Sequence, residues 1–280
     1  MNCCERIRHT LQVRRPGSGG EVVFFVNVGD PSLQLSFELL RVLAARGARI
    51  VELCVPFPRS PSDGPVLQES HRRALQAGVD LKQALAFARR ACVELGLQLI
   101  LLSDFEHSVE PVGLPRFLSL AADAGVCGTL IHALPARLRR AYLEESARIE
   151  LGTVMTCFLS SDERTRRSAY RESSCFAYIV SRFGRSGGPA ARLGDLLPQV
   201  RALRAETTCP LALGFGIKST TDVASVHATG VEAAIVGSAA TQAFAAELPS
   251  PARMLRAFDD FAGALLLGAG ASPATALVSP

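Results

Sequence analysis

The stretch Ile50-Val51-Glu52-Leu53-Cys54-Val55-Pro56-Phe57-Pro58-Arg59-Ser60-Pro61-Ser62-Asp63-Gly64-Pro65 decides the reading of this chain. Ile50 to Leu53 is a short, β-branched apolar run that reads as a strand, and Glu52 lies inside it. Asp63 follows in a loop stiffened by four prolines and a glycine. A strand end followed by a stiff loop is where a (β/α)8 barrel keeps its catalytic groups. Two carboxyls held near one substrate take different pKa values and divide acid and base work. The alternative is a pair of ordinary surface carboxylates. A glutamate between Ile-Val and Leu-Cys-Val is a poor surface candidate, because Glu is rarely buried without a partner or a task.

Working outward, short apolar runs alternate with helical patterns, which predicts βαβ units and a parallel sheet. The strand runs are 22–28, 50–53, 98–102, 128–131, 153–158, 176–180, 211–215 and 233–236. Helical patterns fall over 33–46, 81–95, 114–124, 136–151, 161–174, 193–206 and 220–228, with a split eighth helix from 238 and from 252 to 267. A polar helix over 2–11 and a connector over 16–20 precede the first strand. The small-residue, proline-containing tail 268–280 reads as mobile. The expectation is one domain over 1–280: a single TIM barrel with an extra N-terminal helix. The length of 280 residues suits this, since such barrels take about 250.

Composition narrows the function. A formal net charge of +4 gives no basic footprint for nucleic acid. Arg164, Arg166 and Arg167 read as a solvated helix face. Eight cysteines are scattered without C-x-x-C spacing, which argues against a zinc site or a disulfide framework and fits free thiols in a reducing cytoplasm. The N-terminus has no apolar core of a signal peptide, and no apolar run reaches the ~18 residues of a spanning helix, so no membrane role is expected.

Two glycine-rich stretches form a second constellation. Leu213-Gly214-Phe215-Gly216-Ile217 ends the seventh strand and Ile235-Val236-Gly237-Ser238-Ala239 the eighth. Glycines there let backbone N–H groups approach a phosphate, and Ser238 opens a short helix whose N-terminus favours an anion. The bland alternative is tight turns with no ligand. Ser181-Arg182-Phe183-Gly184-Arg185-Ser186-Gly187-Gly188-Pro189, after the sixth strand, reads as a lid over a charged ligand or as a plain flexible loop. Tyr178 on the sixth strand points either into the barrel mouth or into the core. His107 and His132 are expected at the functional face, as substrate contacts or as internally satisfied histidines.

Together these segments resemble the tryptophan synthase α subunit, the indole-3-glycerol-phosphate lyase family, from about Val22 to Phe258. The anchors are Phe25-Val26-Asn27-Val28-Gly29-Asp30-Pro31, Val51-Glu52-Leu53 through Val55-Pro56-Phe57, Ser62-Asp63-Gly64-Pro65-Val66-Leu67-Gln68, Gly214-Phe215-Gly216-Ile217 and Val236-Gly237-Ser238-Ala239. The resemblance implies retro-aldol cleavage of indole-3-glycerol phosphate into indole and glyceraldehyde 3-phosphate. It makes Glu52 the general acid–base at indole C3 and at the glycerol hydroxyl. Asp63 becomes the acceptor for the indole N–H. Tyr178 and Phe25 line the indole pocket, and backbone N–H groups of Gly187, Gly216, Gly237 and Ser238 hold the phosphate. No metal or organic cofactor is implied.

The chain departs from the family pattern at defined places. Arg59 replaces an acidic residue near the β-subunit contact. Ser103-Asp104-Phe105-Glu106-His107-Ser108 replaces a Tyr/Asn-Pro segment after the third strand. Ala133 replaces an aspartate before Leu134-Pro135, and in the lid Ser186 stands for threonine beside the unusual Phe183 and Arg185. The β-subunit contact is therefore in question, and a stand-alone lyase of a specialised pathway is the expectation. Two alternatives stay open: an aldolase-type lyase on a related aryl-glycerol phosphate, and a non-catalytic activator of a partner enzyme.

Overall fold

In a computed structural model, residues 2–13, 19–60, 63–180, 193–214 and 216–268 are described. Eight parallel strands close into a barrel in sequence order. They are β1 (Glu21–Asn27), β2 (Ile50–Cys54), β3 (Gln98–Asp104), β4 (Gly128–His132), β5 (Gly152–Phe158), β6 (Phe176–Val180), β7 (Leu211–Gly214) and β8 (Ala233–Val236). Pairing of Val22 with Ala234 and Phe24 with Val236 seals β1 to β8. Each predicted strand is present to within two residues at either end.

The helices are α1 (Cys3–Gln12), α2 (Leu33–Ala45), α3 (Pro65–Gln76), α4 (Leu81–Leu95), α5 (Leu114–Asp123), α6 (Arg139–Arg148), α7 (Glu163–Glu172), α8 (Leu193–Ala205), α9 (Thr220–His227), α10 (Ser238–Ala245) and α11 (Pro251–Gly268). The sequence reading had no helix after Asp63. Pro65 is loop punctuation by sequence pattern, but it occupies the first turn of α3, where a missing N–H costs nothing. The predicted helix over 136–151 is a 3-10 turn (Ala136–Leu138) followed by α6. Most of the N-terminal connector, the loop 181–189 and nearly all of the tail lie outside the described residues.

Alternation along the strands makes two cores. Outward side chains such as Phe24, Leu53, Leu101 and Ile179 pack under the helices. Inward side chains Val23, Ile50, Ile100, Val154, Phe176 and Ile235 fill the barrel. α1 closes the barrel's lower end. Its Cys4, Ile7 and Leu11 recur at helical spacing and join the interior cluster. Ile7 is fully buried there, a burial that contributes about 1.5–3 kcal/mol. With the lower end plugged, substrate access is confined to the C-terminal ends of the strands.

Candidate active site

Glu52 points inward from β2, in register with Phe25 of β1 and Ile100 of β3. It is 1 % exposed, and its Oε1 has no hydrogen-bond partner among the described residues. Burial, reinforced by the charge of Asp63, pushes its carboxyl up to about 8. At neutral pH the group is therefore protonated, a buried acid with a proton to give.

Asp63 sits at the end of the proline-rich loop, immediately before α3. His71, two turns into α3, holds it: Nε2 lies 3.1 Å from Asp63 Oδ2. The backbone N–H of Phe57 donates to His71 Nδ1 at 3.2 Å. Since Nδ1 accepts, Nε2 carries the hydrogen and donates to Asp63. Phe57 also packs edge-on against the imidazole at 4.6 Å between centroids. Gln68 ties the loop down by donating to the carbonyls of Asp63 at 3.0 Å and Ser60 at 3.2 Å. α3 is itself anchored to the turn after β1, because Arg73 donates to both oxygens of buried Asp30 at 2.6 and 2.8 Å. Ser70 bonds the same carboxylate and accepts from Asn27 at 2.9 Å.

The sequence reading did not single out His71. Its signal was available: His71 lies with Leu67, Ser70 and Ala74 on the buried face of the helix that opens just after Asp63. A histidine on such a stripe is either a satisfied core residue or a brace, and here its contacts make it the latter.

Tyr178 projects from β6, across the barrel from β2. Burial, then the charges of Glu52 and Asp63, hold its hydroxyl well above the ordinary tyrosine range. The hydroxyl end of its ring fills the space beside Gly214, where an added Cβ would be 2.1 Å from the Tyr178 hydroxyl oxygen. This revises the expected role of Gly214: it makes room for Tyr178. Gly216, at φ +56°, occupies the left-handed region that favours glycine. Gly237 and Ser238 open α10, whose first turn has no side-chain cap. Phe25 joins Cys54, Phe57, Leu67 and Leu102 in a small apolar cluster at the mouth. Gly187 lies outside the described residues, as do Phe183, Arg185 and Ser186.

Burial raises the Cys54 thiol, and the charges of Asp63, Glu52 and Asp104 add to the shift. Asp104 ends β3 beside His132 of β4. The replaced segment after β3 folds as a π-helical turn, Phe105–Val109, whose His107 turns back onto Asp104. A cavity of about 510 Å³ lies beside the Asp63 loop, between Arg59, Gln68, Arg72 and Leu75. No group of His, Cys, Asp or Glu among the described residues is arranged to hold a metal. None of the described helices is long and apolar enough to cross a membrane.

The tryptophan synthase alpha chain family model matches residues 13–266. The alpha chain of Geobacter sulfurreducens is 34 % identical over 239 residues, covering 85 % of this chain and 90 % of its own length. That of Trichormus variabilis is 31 % identical over 241 residues, covering 86 % and 90 %. Among solved structures, the alpha subunit of Legionella pneumophila superposes with a TM-score of 0.85 at 23 % identity, covering 96 % of this chain and 98 % of that one. A tryptophan synthase chain of M. tuberculosis gives 0.81 at 21 % identity, covering 96 % and 100 %. The two structural likenesses show the same barrel, and the family model and the curated relatives give the lineage: the chain belongs to the tryptophan synthase alpha chain family, lyases acting on indole-3-glycerol phosphate.

Proposed function

We propose that this chain cleaves indole-3-glycerol phosphate into indole and glyceraldehyde 3-phosphate, with Glu52 as the acid–base and Asp63 as the partner of the indole nitrogen. The observation that carries the assignment is the buried Glu52 carboxyl, pushed up to about 8 with one oxygen unpartnered among the described residues. Protonated Glu52 adds its proton to ring C3. The ring becomes an indolenine-like cation, and Asp63 accepts a hydrogen bond from its N–H. Glu52, now a carboxylate, takes the proton of the hydroxyl on the adjacent glycerol carbon. That carbon becomes the aldehyde, the carbon–carbon bond to C3 breaks, and its electron pair restores the aromatic indole. Glu52 ends the cycle protonated, so one buried group serves both steps.

Phe25 and Tyr178 supply the walls of the aryl pocket in this reading. Backbone N–H groups of Gly187, Gly216, Gly237 and Ser238 hold the phosphate. The uncapped start of α10 supports that role, since its N–H groups and helix dipole favour an anion. Phosphate and carboxylates then sit at opposite ends of the substrate, which keeps like charges apart.

We also infer that indole is released without help from a β subunit. Arg59 adopts φ 55° at the outer edge of the Asp63 loop, and the Phe105–Val109 turn folds inward onto Asp104. Incubation of the purified chain with indole-3-glycerol phosphate, following indole, tests both points. Turnover by the chain alone that vanishes in Glu52→Gln is the expected result. Activity only on addition of a tryptophan synthase β chain overturns the stand-alone reading, and silence in both overturns the lyase assignment.

A further inference from the structure

The lower end of the barrel holds a set of thiols that the retro-aldol steps do not use. Cys3, Cys4, Cys127 and Cys175 are far apart along the chain and meet where α1 plugs the barrel. Cys3 and Cys4 are the first two residues of α1, after the capping residue Asn2. Arg6 donates to Cys3 Sγ at 2.8 Å and reaches Cys127 Sγ at 3.9 Å, so Cys3 is directed toward Cys127. Cys4 is directed elsewhere: its Sγ lies 3.7 Å from Sγ of Cys175, the residue before β6. Two glycines make that contact possible. A Cβ at Gly128 would stand 2.9 Å from Cys175 Sγ, and one at Gly152 closer still. The Cys175 sulfur therefore occupies space that β4 and β5 leave clear.

The two sulfurs differ in access and in charge. Cys4 keeps 9 % exposure at the end of its helix, whereas Cys175 has none. The hydrogen bond from Cys175, with Ser174 and Arg8 adding to it, holds the Cys4 thiol down to about 6 against the opposing effect of burial. A helix N-terminus favours the thiolate as well. While protonated, Cys4 donates to the Ser174 carbonyl at 3.1 Å. Arg8 donates to the same carbonyl at 3.2 Å, so that oxygen keeps a donor when Cys4 ionises. The bond to Cys4 and burial push Cys175 well above the ordinary thiol range, so it keeps its proton. A partly accessible thiolate in contact with a buried thiol suits oxidation at the first sulfur and resolution by the second. A gap of 3.7 Å is ordinary contact between sulfurs, so bonding them needs a small shift of the helix end and no rearrangement.

We propose that Cys4 and Cys175 form a redox modification site, in which a hydroperoxide oxidises Cys4, Cys175 resolves it, and the resulting disulfide fastens α1 to the floor of the barrel. The Cys4 thiolate attacks one peroxide oxygen. The O–O bond breaks, and the other oxygen leaves with the electron pair and takes a proton from solvent. Cys4 is then a sulfenic acid. The Cys175 sulfur attacks the Cys4 sulfur, the S–O bond breaks, and the departing hydroxide takes the Cys175 proton as water. The two thiols give up two electrons, and the hydroperoxide is reduced to an alcohol and water. A thiol reductant reverses the change by exchange. The bond joins residues 171 positions apart, which restricts the unfolded chain, so the oxidised protein is the more stable form.

Treatment of the full chain with hydrogen peroxide, then alkylation in denaturant and peptide mapping, tests this without reference to turnover. The expected product is Cys4 joined to Cys175, a mass lower by two hydrogens, with both thiols recovered in dithiothreitol. The link should form at an unchanged rate in Cys3→Ser and be absent in Cys4→Ser and Cys175→Ser. Mapping the wild type needs no variant, so a substitution that folds poorly does not decide the matter. In urea the preference for this pair should disappear. The melting temperature of the oxidised chain should rise by several degrees and return on reduction. A link from Cys3 to Cys127 or to Cys4 in its place, Cys4 overoxidised beside a free Cys175, or the same pairing frequency in urea overturns the pair. A link between Cys4 and Cys175 with no rise in melting temperature overturns the fastening of α1.

Discussion

The two ends of the barrel follow the same inward–outward alternation and have opposite chemistry. At the lower end, the inward positions are Val23, Ile50, Ile100 and Phe176, and α1 covers them with Cys4, Ile7 and Leu11. At the upper end, they are Glu52, Asp104, His132 and Tyr178. Water removed at the lower end is removed from hydrocarbon, which stabilises the fold. Water removed at the upper end is removed from a carboxyl, which raises its pKa and leaves a protonated acid. One operation, desolvation, gives stability at one end and a reagent at the other.

The sharpest way to break this contrast is Glu52→Gln. Turnover should fall roughly 10²–10⁴-fold, the range of a lost general acid–base. In the wild type, kcat/KM should fall as pH rises through about 8, where Glu52 loses its proton. Stability follows the same group. Glu52 is raised from 4.5 to about 8 in the folded chain, so the folded state binds the extra proton and stability declines as pH rises across that interval. Melting curves from pH 5 to 9 should show a slope that Glu52→Gln lacks.

Asp63→Asn comes next, with an expected loss of about 10²–10³-fold for one electrostatic stabiliser of a developing cation. A pair of substitutions at His71 separates positioning from packing. Asn keeps an acceptor for the Phe57 N–H but has no donor where Nε2 stood, whereas Gln keeps a donor there. His71→Asn should lower kcat about tenfold and His71→Gln less, because a small misplacement of Asp63 is costly. Equal losses in both would show that His71 only fills space. The smallest effect on activity belongs to the lower end. Ile7→Ala should cost about 2–5 kcal/mol in a denaturant titration while kcat is unchanged. A fall in kcat there would mean that α1 does more than plug the barrel.

Much of this was legible in the sequence because it is written in local pattern. Ile50 to Leu53 could only be a buried strand, and a glutamate inside it needed a purpose. The glycines at 214, 216 and 237 marked the ends of the last two strands. The misses have one cause. α3 was overlooked because Pro65 reads as punctuation until its N-terminal placement is seen. His71 became a brace for Asp63 only when Pro65 started a helix that carried it over the loop. Gly214 looked like part of an anion cradle, but Tyr178, thirty-six residues earlier, needs its missing side chain.

By itself, the sequence determined the barrel, its strand order and the two carboxylates, because periodicity and composition act over a few residues at a time. Only the tertiary structure decided the state of Glu52 and what holds Asp63. Desolvation of Glu52, the Phe57–His71–Asp63 chain and the meeting of Asp104 with His107 and His132 depend on distances between segments far apart along the chain. Pairing across a closed barrel sets those distances.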